Sequence, residues 1–498
     1  MNSKKTEAEF RDLLAKLHAF RHALAILSYD AETIMPAAGA EAMGETCGLL
    51  AEEQQKLLTS PQLKELLAAV QECGEQMPKE LQAEAAELRR QQAKMEAISP
   101  AEYREYNTLQ AHAVQVWKDA KQQEDFAAFQ PYLEKLIDYN RCFALSYDKN
   151  TDVYDTLLDD NDRGLSRAEL DPFFDQVARE LSPLIREIAG QKAPEDAFLQ
   201  GNFPVEAQRQ LSARIMEILG IDRQRCALGE TEHPFTEGMN NRDVRVTTHY
   251  YEEDLTNSLY SVIHECGHAL YMLNVDDKLN GLSIGEGAST AMHESQSRLF
   301  ENMVGRSRDF LHFLLPELKQ LFPSLDGVSE EAFYRAVNLS KPSLIRITAD
   351  ELSYPLHVLI RYELEKSLFA GDLQVGELPQ AWDDLYEKYL GLRPDRLSTG
   401  VLQDTHWASG LFGYFPGYAL GSAYAAQFFH SMQKELDIPG DLRSGNLEPL
   451  RQWLREKVWR LGALLQPREI LQAATGEGFD PSYYICYLQE KYKEIYRI

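Results

Sequence analysis

One short stretch, Ser261–Tyr271, constrains this chain more than any other. It reads Ser-Val-Ile-His-Glu-Cys-Gly-His-Ala-Leu-Tyr, so His264 and His268 stand four residues apart and Glu265 follows the first of them. Residues four apart lie on one face of a helix, so both imidazoles would project together. The opposite stripe is apolar and consists of Val262, Cys266, Ala269, Leu270 and Leu273. The pattern therefore predicts an amphipathic helix with one face buried.

The polar face of this helix has the residues of a metal site. The H-E-x-x-H spacing offers two nitrogen ligands for zinc, and Glu265 can act as a general base without being a ligand itself. A catalytic zinc site needs a third protein ligand and keeps a fourth position open. We favour Glu294, on a helix predicted from Ser289 to Val304, because that helix can return to the first. The alternatives are Glu286, Glu301 and His293.

Composition excludes several classes of partner. The 498 residues have a net charge of -27 and a pI near 4.9, which argues against binding to nucleic acid or to an anionic membrane. No segment approaches the roughly 20 apolar residues of a membrane span, and the first residues lack the apolar core of a signal peptide. The six cysteines are scattered without C-x-x-C pairs and are interpreted as reduced thiols. We expect a cytoplasmic protein.

Apolar periodicity predicts helices over most of the chain, with no linker that divides it. We expect one domain over residues 1–498, in which residues 1–222 form a helical groove wall or lid and residues 223–498 carry the zinc site. Residues 78–125 are predicted to form a pair of long antiparallel helices over a cleft. The alternating, β-branched run Asp243–Tyr250 predicts a strand in a small sheet. We expect this strand to offer its edge to an extended substrate.

Two segments near the C-terminal end combine features of a functional surface. A helix is predicted from Ser343 to Leu368 and contains Arg346. The stretch that follows has many Gly and Pro residues and includes Gln403–Trp407 and Gly413–Tyr418, where Tyr, His, Trp and Gly are dense. Such clusters in loops are typical of binding sites. The alternative is an aromatic-lined turn that closes the fold.

Five motifs, in this order, resemble the M32 family of metallocarboxypeptidases, the thermostable or Taq-type carboxypeptidases. They are His233-Pro-Phe235, Asp243-x-Arg245-x-Thr247, His264-Glu-x-Gly-His268, His293-Glu-Ser-Gln296 and Gln403-Asp-x-His406-Trp407. The resemblance spans the chain, since the segments 29–36 and 154–159 are also similar to family segments. Two positions depart from the family pattern: Tyr29 stands where Trp is usual and Asn161 where an aromatic is usual. Both lie away from the zinc motif and bear on the cleft.

The resemblance implies a mainly α fold, a single large helical metallopeptidase domain with a long, deep groove similar to that of neurolysin and angiotensin-converting enzyme. It implies zinc, or another divalent metal such as cobalt, held by His264, His268 and Glu294. It also implies a homodimer and a zinc-dependent carboxypeptidase that removes single C-terminal residues from peptides with broad specificity. These implications come from the family and not from periodicity or composition.

Exopeptidase action requires a group that holds the terminal carboxylate of the substrate. Arginine does this best, because its fork matches a carboxylate bidentately. We predict Arg346 for this role because its segment looks like the family's Ile-Arg-x-x-Ala-Asp-Glu run. Arg245 and Arg298 are the alternatives.

The oxyanion that forms during hydrolysis needs a hydrogen-bond donor besides the metal. Tyr414, Tyr418 and His406 are the candidates, without a ranking, and His233 is predicted to line the site. Two other functions compete with the carboxypeptidase. An endo-acting zinc oligopeptidase would use the same metal site without a carboxylate clamp. A helical binding protein with a structural metal would need four protein ligands, often cysteines, and would leave Glu265 without a purpose.

Overall fold

The computed structural model describes residues 3–498, and helices dominate it. Within these residues the chain forms twenty α-helices and three β-strands. The helices are α1 (Ser3–Thr33), α2 (Ala40–Leu58), α3 (Pro61–Cys73), α4 (Lys79–Ala97), α5 (Pro100–Gln123), α6 (Phe126–Tyr147), α7 (Val153–Asn161), α8 (Arg167–Ala189), α9 (Val205–Ile218), α10 (Leu255–Leu273), α11 (Thr290–Arg298), α12 (Arg308–Leu321), α13 (Glu330–Val337), α14 (Tyr354–Ala370), α15 (Leu378–Leu390), α16 (Pro416–Gln433), α17 (Ile438–Ser444), α18 (Glu448–Lys457), α19 (Pro467–Thr475) and α20 (Ser482–Tyr496). The strands are β1 (Cys226–Glu230), β2 (Thr236–Asn240) and β3 (Asp243–Thr248). The predicted mainly α fold class is confirmed.

The two helices that matter most for function, α10 and α11, begin at side-chain caps. Asp254 accepts hydrogen bonds from the backbone N–H groups of Thr256 and Asn257 at the start of α10. Ser289 accepts one from Met292 at the start of α11. These contacts satisfy backbone donors that have no partner within the helix, so the sequence itself fixes where both helices begin.

Helix α11 lies between α10 and α16, and glycines allow the three helices to approach closely. A Cβ atom at Gly267 of α10 would lie 2.6 Å from the Cα atom of Ser297 and 2.7 Å from the carbonyl oxygen of Gln296. A Cβ atom at Gly421 of α16 would lie 2.7 Å from the Cβ atom of Glu294. Any larger residue at either glycine would push the helices apart.

The small sheet has the strand order β1-β3-β2, with β1 parallel and β2 antiparallel to β3. The predicted strand at Asp243–Tyr250 exists as the shorter β3, but the expectation that it offers a free edge is wrong. It is the central strand, hydrogen-bonded on both sides. The outer strand beside the site is β2, whose sequence Thr-Glu-Gly-Met-Asn is poor in β-branched residues and gives a weak strand signal.

The predicted helix from Ser343 to Leu368 is also wrong in its first part. Helix α14 begins at Tyr354, and Arg346 lies in a short 3-10 turn at Arg346–Thr348. The side chain of Asp350 accepts hydrogen bonds from the backbone N–H groups of Leu352 and Ser353, which holds this segment as a turn. The consequence is that Arg346 is presented by a turn and not by a helix face.

The predicted pairing of two helices within residues 78–125 is also wrong. Both helices exist as α4 and α5, and Ser99 forms the predicted capping box with Glu102. They do not pack along each other: α5 packs along α6, and α4 packs against α3 and α6. The reason is that the buried face of α5, with Ala113 and Ala120, meets α6.

Within residues 3–498, no helix combines the length and the apolar character that crossing a membrane requires.

Candidate active site

A groove of about 1510 Å³ runs between the N-terminal helices and the C-terminal part of the chain. Helices α4 and α5 line it on one side, and β2, α10, α11 and the segment after α15 line it on the other. Every site residue that the sequence predicts lines this groove. These residues are His233, His264, Glu265, His268, Glu294, Arg346, His406, Tyr414 and Tyr418.

Three of these side chains converge on one point of the groove wall. Oε2 of Glu294 lies 3.7 Å from Nε2 of His264 and 3.4 Å from Nε2 of His268. One ligand atom from each residue lies within 4.8 Å of the other two. Atoms bound about 2.0–2.2 Å from a tetrahedral metal lie about 3.3–3.6 Å from one another, so the two separations from Glu294 and the donor set fit a divalent ion such as zinc.

The His264 nitrogen that faces away from Glu294 contacts a second carboxylate, that of Glu301. Its Nδ1 atom lies 2.9 Å from Oε2 of Glu301, so the Nδ1 hydrogen is donated to Glu301 and Nε2 is left with its lone pair facing Glu294. Arg298 and Arg306 donate to Glu301 in turn. Burial opposes ionisation of Glu301, but Arg298 and the imidazole outweigh it and hold its pKa well below the ordinary value. Glu301, one alternative third ligand, therefore contacts a different nitrogen from the one that faces Glu294.

His268 is supported by His293, the other histidine that could have been a ligand. The two Nδ1 atoms are 2.6 Å apart. Burial, together with the neighbouring His268, lowers the pKa of His293 to about 3, so its ring is uncharged and can accept a hydrogen from His268. A Cβ atom at Gly287 would lie 2.4 Å from Cδ2 of His293, so the ring fits only against a glycine.

Glu294 is fixed by two neighbours on its own helix. Arg298 donates to Oε1 at 2.7 Å, and the Ser297 hydroxyl donates to Oε2 at 3.0 Å. Burial raises the pKa of Glu294, but Arg298 and the two imidazoles more than offset this and keep the carboxylate ionised. Arg298, one alternative for the carboxylate clamp, is thus already engaged by Glu294 and Glu301.

Glu265 is mostly buried on the same face of α10, and it is not part of the group that could bind a metal. The hydroxyl of Thr236, the first residue of β2, lies 2.7 Å from Oε2 of Glu265. Sequence reasoning missed Thr236. The available signal was its position directly after His233-Pro-Phe235.

Arg346 lines the groove and belongs to a cluster of two arginines and one aspartate, which has excess positive charge. It donates to Asp404 at 2.9 Å, and Arg361, which is fully buried, donates to the other oxygen of the same carboxylate at 2.7 Å. Two guanidinium groups thus share one carboxylate. The Arg346 guanidinium also lies 5.1 Å from the centre of the Tyr418 ring. Arg245, the remaining alternative, pairs with Asp243 and is not among the residues that line the groove.

His406 and the two tyrosines form a polar cluster close to Arg346. Nε2 of His406 lies 3.3 Å from the hydroxyl of Tyr418. Burial, and then Arg346, lower the pKa of His406 to about 4, so the ring is neutral at physiological pH. Burial raises the pKa of Tyr414 and of Tyr418 above the ordinary value, so both hydroxyls keep their protons. The cluster therefore offers neutral hydrogen-bond donors.

Known proteins that are similar to this chain are carboxypeptidases. The profile of the Carboxypeptidase Taq (M32) metallopeptidase family matches residues 9–492. Carboxypeptidase 1 of Bacillus subtilis is 38% identical over 493 residues, which are 98% of each chain. Thermostable carboxypeptidase 1 of Thermus thermophilus is 35% identical over 487 residues, 95% of each chain.

A solved structure shows the same fold. The crystal structure of M32 carboxypeptidase from Deinococcus radiodurans R1 superposes with a TM-score of 0.97 at 35% sequence identity, and the match covers 99% of this chain and 100% of that one. The family resemblance, the mainly α fold and the assignment as a metallocarboxypeptidase are therefore confirmed. This chain belongs to the Carboxypeptidase Taq (M32) family of metallopeptidases.

Proposed function

We propose that this protein is a zinc-dependent carboxypeptidase that releases single C-terminal residues from peptides with broad specificity. The observation that carries the proposal is the presence, in one groove, of the group His264, His268 and Glu294 and of the positively charged cluster around Arg346. The first fits a metal ion, and the second fits the terminal carboxylate that distinguishes an exopeptidase substrate.

His264, His268 and Glu294 would hold the metal ion, with zinc as our choice and cobalt as the closest substitute. The preference rests on the donor set, two imidazole nitrogens and one carboxylate oxygen, with no cysteine within the group. When bound, such an ion polarises the scissile carbonyl and lowers the pKa of a water molecule.

Glu265 is our general base. It lines the groove beside the metal-binding group without belonging to it, so its carboxylate is free to take the proton of the attacking water. The same carboxylate then gives that proton to the nitrogen of the leaving residue. Substitution by Gln would keep the shape of the side chain and remove this proton transfer.

Tyr414, Tyr418 and His406 are proposed as donors to the carbonyl oxygen as it becomes negatively charged. Each keeps a hydrogen to donate at physiological pH, because burial raises the pKa of both tyrosines and lowers that of His406, whose ring stays neutral. Donors held in a buried site stabilise a developing oxyanion more than the same donors do in water. His233 is proposed to line the substrate site without binding the metal.

Arg346 is proposed to bind the terminal carboxylate of the substrate. Arg346 and Arg361 together are neutralised only in part by Asp404, so a second carboxylate would complete the charge balance. The fork of Arg346 is held in place by Asp404 and by the Tyr354 hydroxyl at 3.1 Å. A guanidinium that is already fixed loses little freedom when substrate binds.

The backbone of the peptide is proposed to lie along β2. This strand is the outer member of the sheet, and Thr236, Glu237 and Gly238 line the groove. Unpaired backbone groups at a strand edge can add an extended peptide as a further strand.

We further propose a cytoplasmic homodimer. The six cysteines form no disulfide, which suits a reducing compartment. Ile34, directly after α1, and Leu49 of α2 are exposed, in a region with few buried side chains that a second copy could cover. Sedimentation equilibrium of the purified chain tests the dimer, and a monomer at micromolar concentration would contradict it.

Mass spectrometry of a defined peptide mixture tests the activity. Each peptide is supplied with a free and with an amidated C-terminus, and each incubation is run with and without a chelator. We expect stepwise loss of C-terminal residues from the free peptides alone, abolished by chelator and restored by zinc. Internal cleavage of both sets would instead establish an endo-acting oligopeptidase, and no cleavage after added zinc or cobalt would contradict enzymatic activity.

A further inference from the structure

One hydroxyl group contacts both the carboxylate and the backbone carbonyl of Glu265, and these two acceptors share its single hydrogen. The Thr236 hydroxyl oxygen lies 2.7 Å from Oε2 of Glu265 and 2.9 Å from its backbone carbonyl oxygen. Because Thr236 contacts both the backbone end and the carboxylate end of Glu265, the conformation of the Glu265 side chain is restricted. Within residues 3–498, the Glu265 carboxylate has no other hydrogen-bond or ion-pair partner from a side chain, and Oε1 is left free.

Thr236 itself is fixed before it contacts Glu265. It is the first residue of β2 and pairs with Val246 of the central strand β3. The preceding residue, Phe235, is tied to β3 as well, since its backbone N–H donates to Oγ1 of Thr247 at 2.8 Å and its carbonyl accepts from the Thr247 backbone at 2.9 Å. Thr247 is fully buried. The hydroxyl of Thr236 is therefore presented to Glu265 by the sheet and not by a flexible loop.

We propose that Thr236 is a positioning residue for catalysis, whose hydroxyl holds the Glu265 carboxylate in the orientation needed for proton transfer. The inference rests on the proposed role of Glu265 as general base. Thr236 acts through Glu265 and does not bind the metal or the reacting atoms. Because Thr236 also starts the strand along which the peptide is proposed to lie, the strand that receives the substrate also orients the base.

The size of the expected effect follows from the loss of one hydrogen bond to a charged group in a site that requires exact orientation. Removing a supporting partner of this kind costs about 10- to 100-fold in activity. The loss falls on kcat, because T236V leaves the backbone of β2, along which the peptide is proposed to lie, and the metal-binding group unchanged. KM is expected to change by less than about 3-fold.

Three variants test the inference. T236V replaces the hydroxyl by a methyl group of similar size, T236S keeps the hydroxyl, and T248V is the matched control. Thr248 is a fully buried threonine of β3 whose hydroxyl faces Ser261 at 3.5 Å and does not contact Glu265. Steady-state kinetics with a free peptide are measured for each zinc-loaded variant, together with its zinc affinity and melting temperature.

We expect T236V to lose about 10- to 100-fold in kcat with unchanged zinc affinity, while T236S and T248V stay within about 3-fold of the wild type. Wild-type kcat in T236V, or an equal loss in T236S, would overturn the inference. E265Q, run in parallel, separates this result from the proposed function. If E265Q were fully active, Glu265 would not be the base and both proposals would fail. If E265Q were inactive and T236V fully active, only the inference about Thr236 would fail.

Discussion

Nδ1 of His264 lies 2.9 Å from Oε2 of Glu301, while Nε2 of the same ring faces Glu294. One imidazole is thus held between a carboxylate that orients it and a carboxylate that would share a metal with it. Glu294 lies on α11 and Glu301 on the π-helical segment Leu299–Gly305 that continues it, and Arg298 lies between them and donates to both. One continuous helical segment therefore supplies a candidate metal ligand, Glu294, and the residue that orients a second candidate ligand, since Glu301 contacts His264.

This relationship predicts that E301Q weakens metal binding. The substitution keeps the size of the side chain but removes the charge that fixes the His264 tautomer, so zinc affinity should fall about 10- to 100-fold. Competition with a chromophoric chelator measures it. E330Q is the matched control, because Glu330 pairs with Nδ1 of His312 at 2.8 Å on the protein surface. Equal zinc affinity in E301Q and E330Q would refute the prediction.

The close contact between α10 and α11 predicts that G267A damages the site. The added methyl group would meet the backbone of Ser297 and Gln296 and move α11, which carries Glu294, away from the two histidines. We expect a loss of stability of about 1–3 kcal/mol together with weaker zinc binding. Thermal unfolding with and without zinc measures both effects.

G44A is the control for this prediction. Gly44 lies in the exposed helix α2, and a Cβ atom there meets nothing within 4 Å. Alanine should stabilise that helix by about 0.5–1 kcal/mol. A G267A variant as stable as G44A, with equal zinc affinity, would contradict the close packing of α10 against α11.

The charge cluster predicts that R346Q removes the preference for a free C-terminus. Gln keeps part of the hydrogen bonding but loses the charge that a carboxylate requires, so kcat/KM for free peptides should fall about 100-fold. Amidated peptides should be affected much less. The ratio of the two rates is the measurement.

R245Q serves as the comparison, since Arg245 pairs with Asp243 and is not among the groove-lining residues. The ratio of rates should stay as in the wild type. A ratio that collapses in R245Q and not in R346Q would assign the carboxylate clamp to Arg245 instead.

A buried carboxyl at the start of α11 predicts a dependence of stability on pH. Burial raises the pKa of Asp162 from 3.8 to about 7, although it accepts a hydrogen bond from the backbone N–H of Ala291. Nearby Glu169 raises this pKa further and Arg468 lowers it. Between these two pH values the unfolded chain releases the proton while the folded chain keeps it. Asp162 therefore reduces stability as pH rises, by up to about 4 kcal/mol near pH 7.

D162N removes this dependence, so its stability relative to the wild type should increase from pH 5 to pH 8. Thermal unfolding at both pH values measures the change. D148N is the control: Asp148 is only partly buried, and the Thr151 hydroxyl and backbone N–H groups lower its pKa, so it is ionised in both states across this range. A difference between D162N and wild type that is the same at pH 5 and pH 8 would contradict the assignment.

The parts of the site that local sequence determines could be predicted. Spacing alone puts His264 and His268 on one face of a helix, and Glu294 follows on the next helix that can return to it. His233 and His406 came from motifs that resemble a family, and Tyr414 and Tyr418 came from the density of aromatic and glycine residues in Gly413–Tyr418. These inferences need no knowledge of how distant segments pack.

What could not be predicted depends on tertiary contacts. The position of β3 at the centre of the sheet depends on β2, whose sequence favours a strand only weakly. Arg346 lies in a turn because Asp350 binds nearby backbone N–H groups, a competition with helix that periodicity does not reveal. The contact of Thr236 with Glu265 joins residues on different elements, and no spacing rule connects them.

The most direct test of the account is E265Q, assayed by mass spectrometry on free peptides with its zinc content measured in the same preparation. We predict a correctly folded protein that binds zinc as the wild type does and releases C-terminal residues at least about 1000-fold more slowly, because no carboxylate remains to move the proton. Cleavage at the wild-type rate by zinc-loaded E265Q would contradict the central claim.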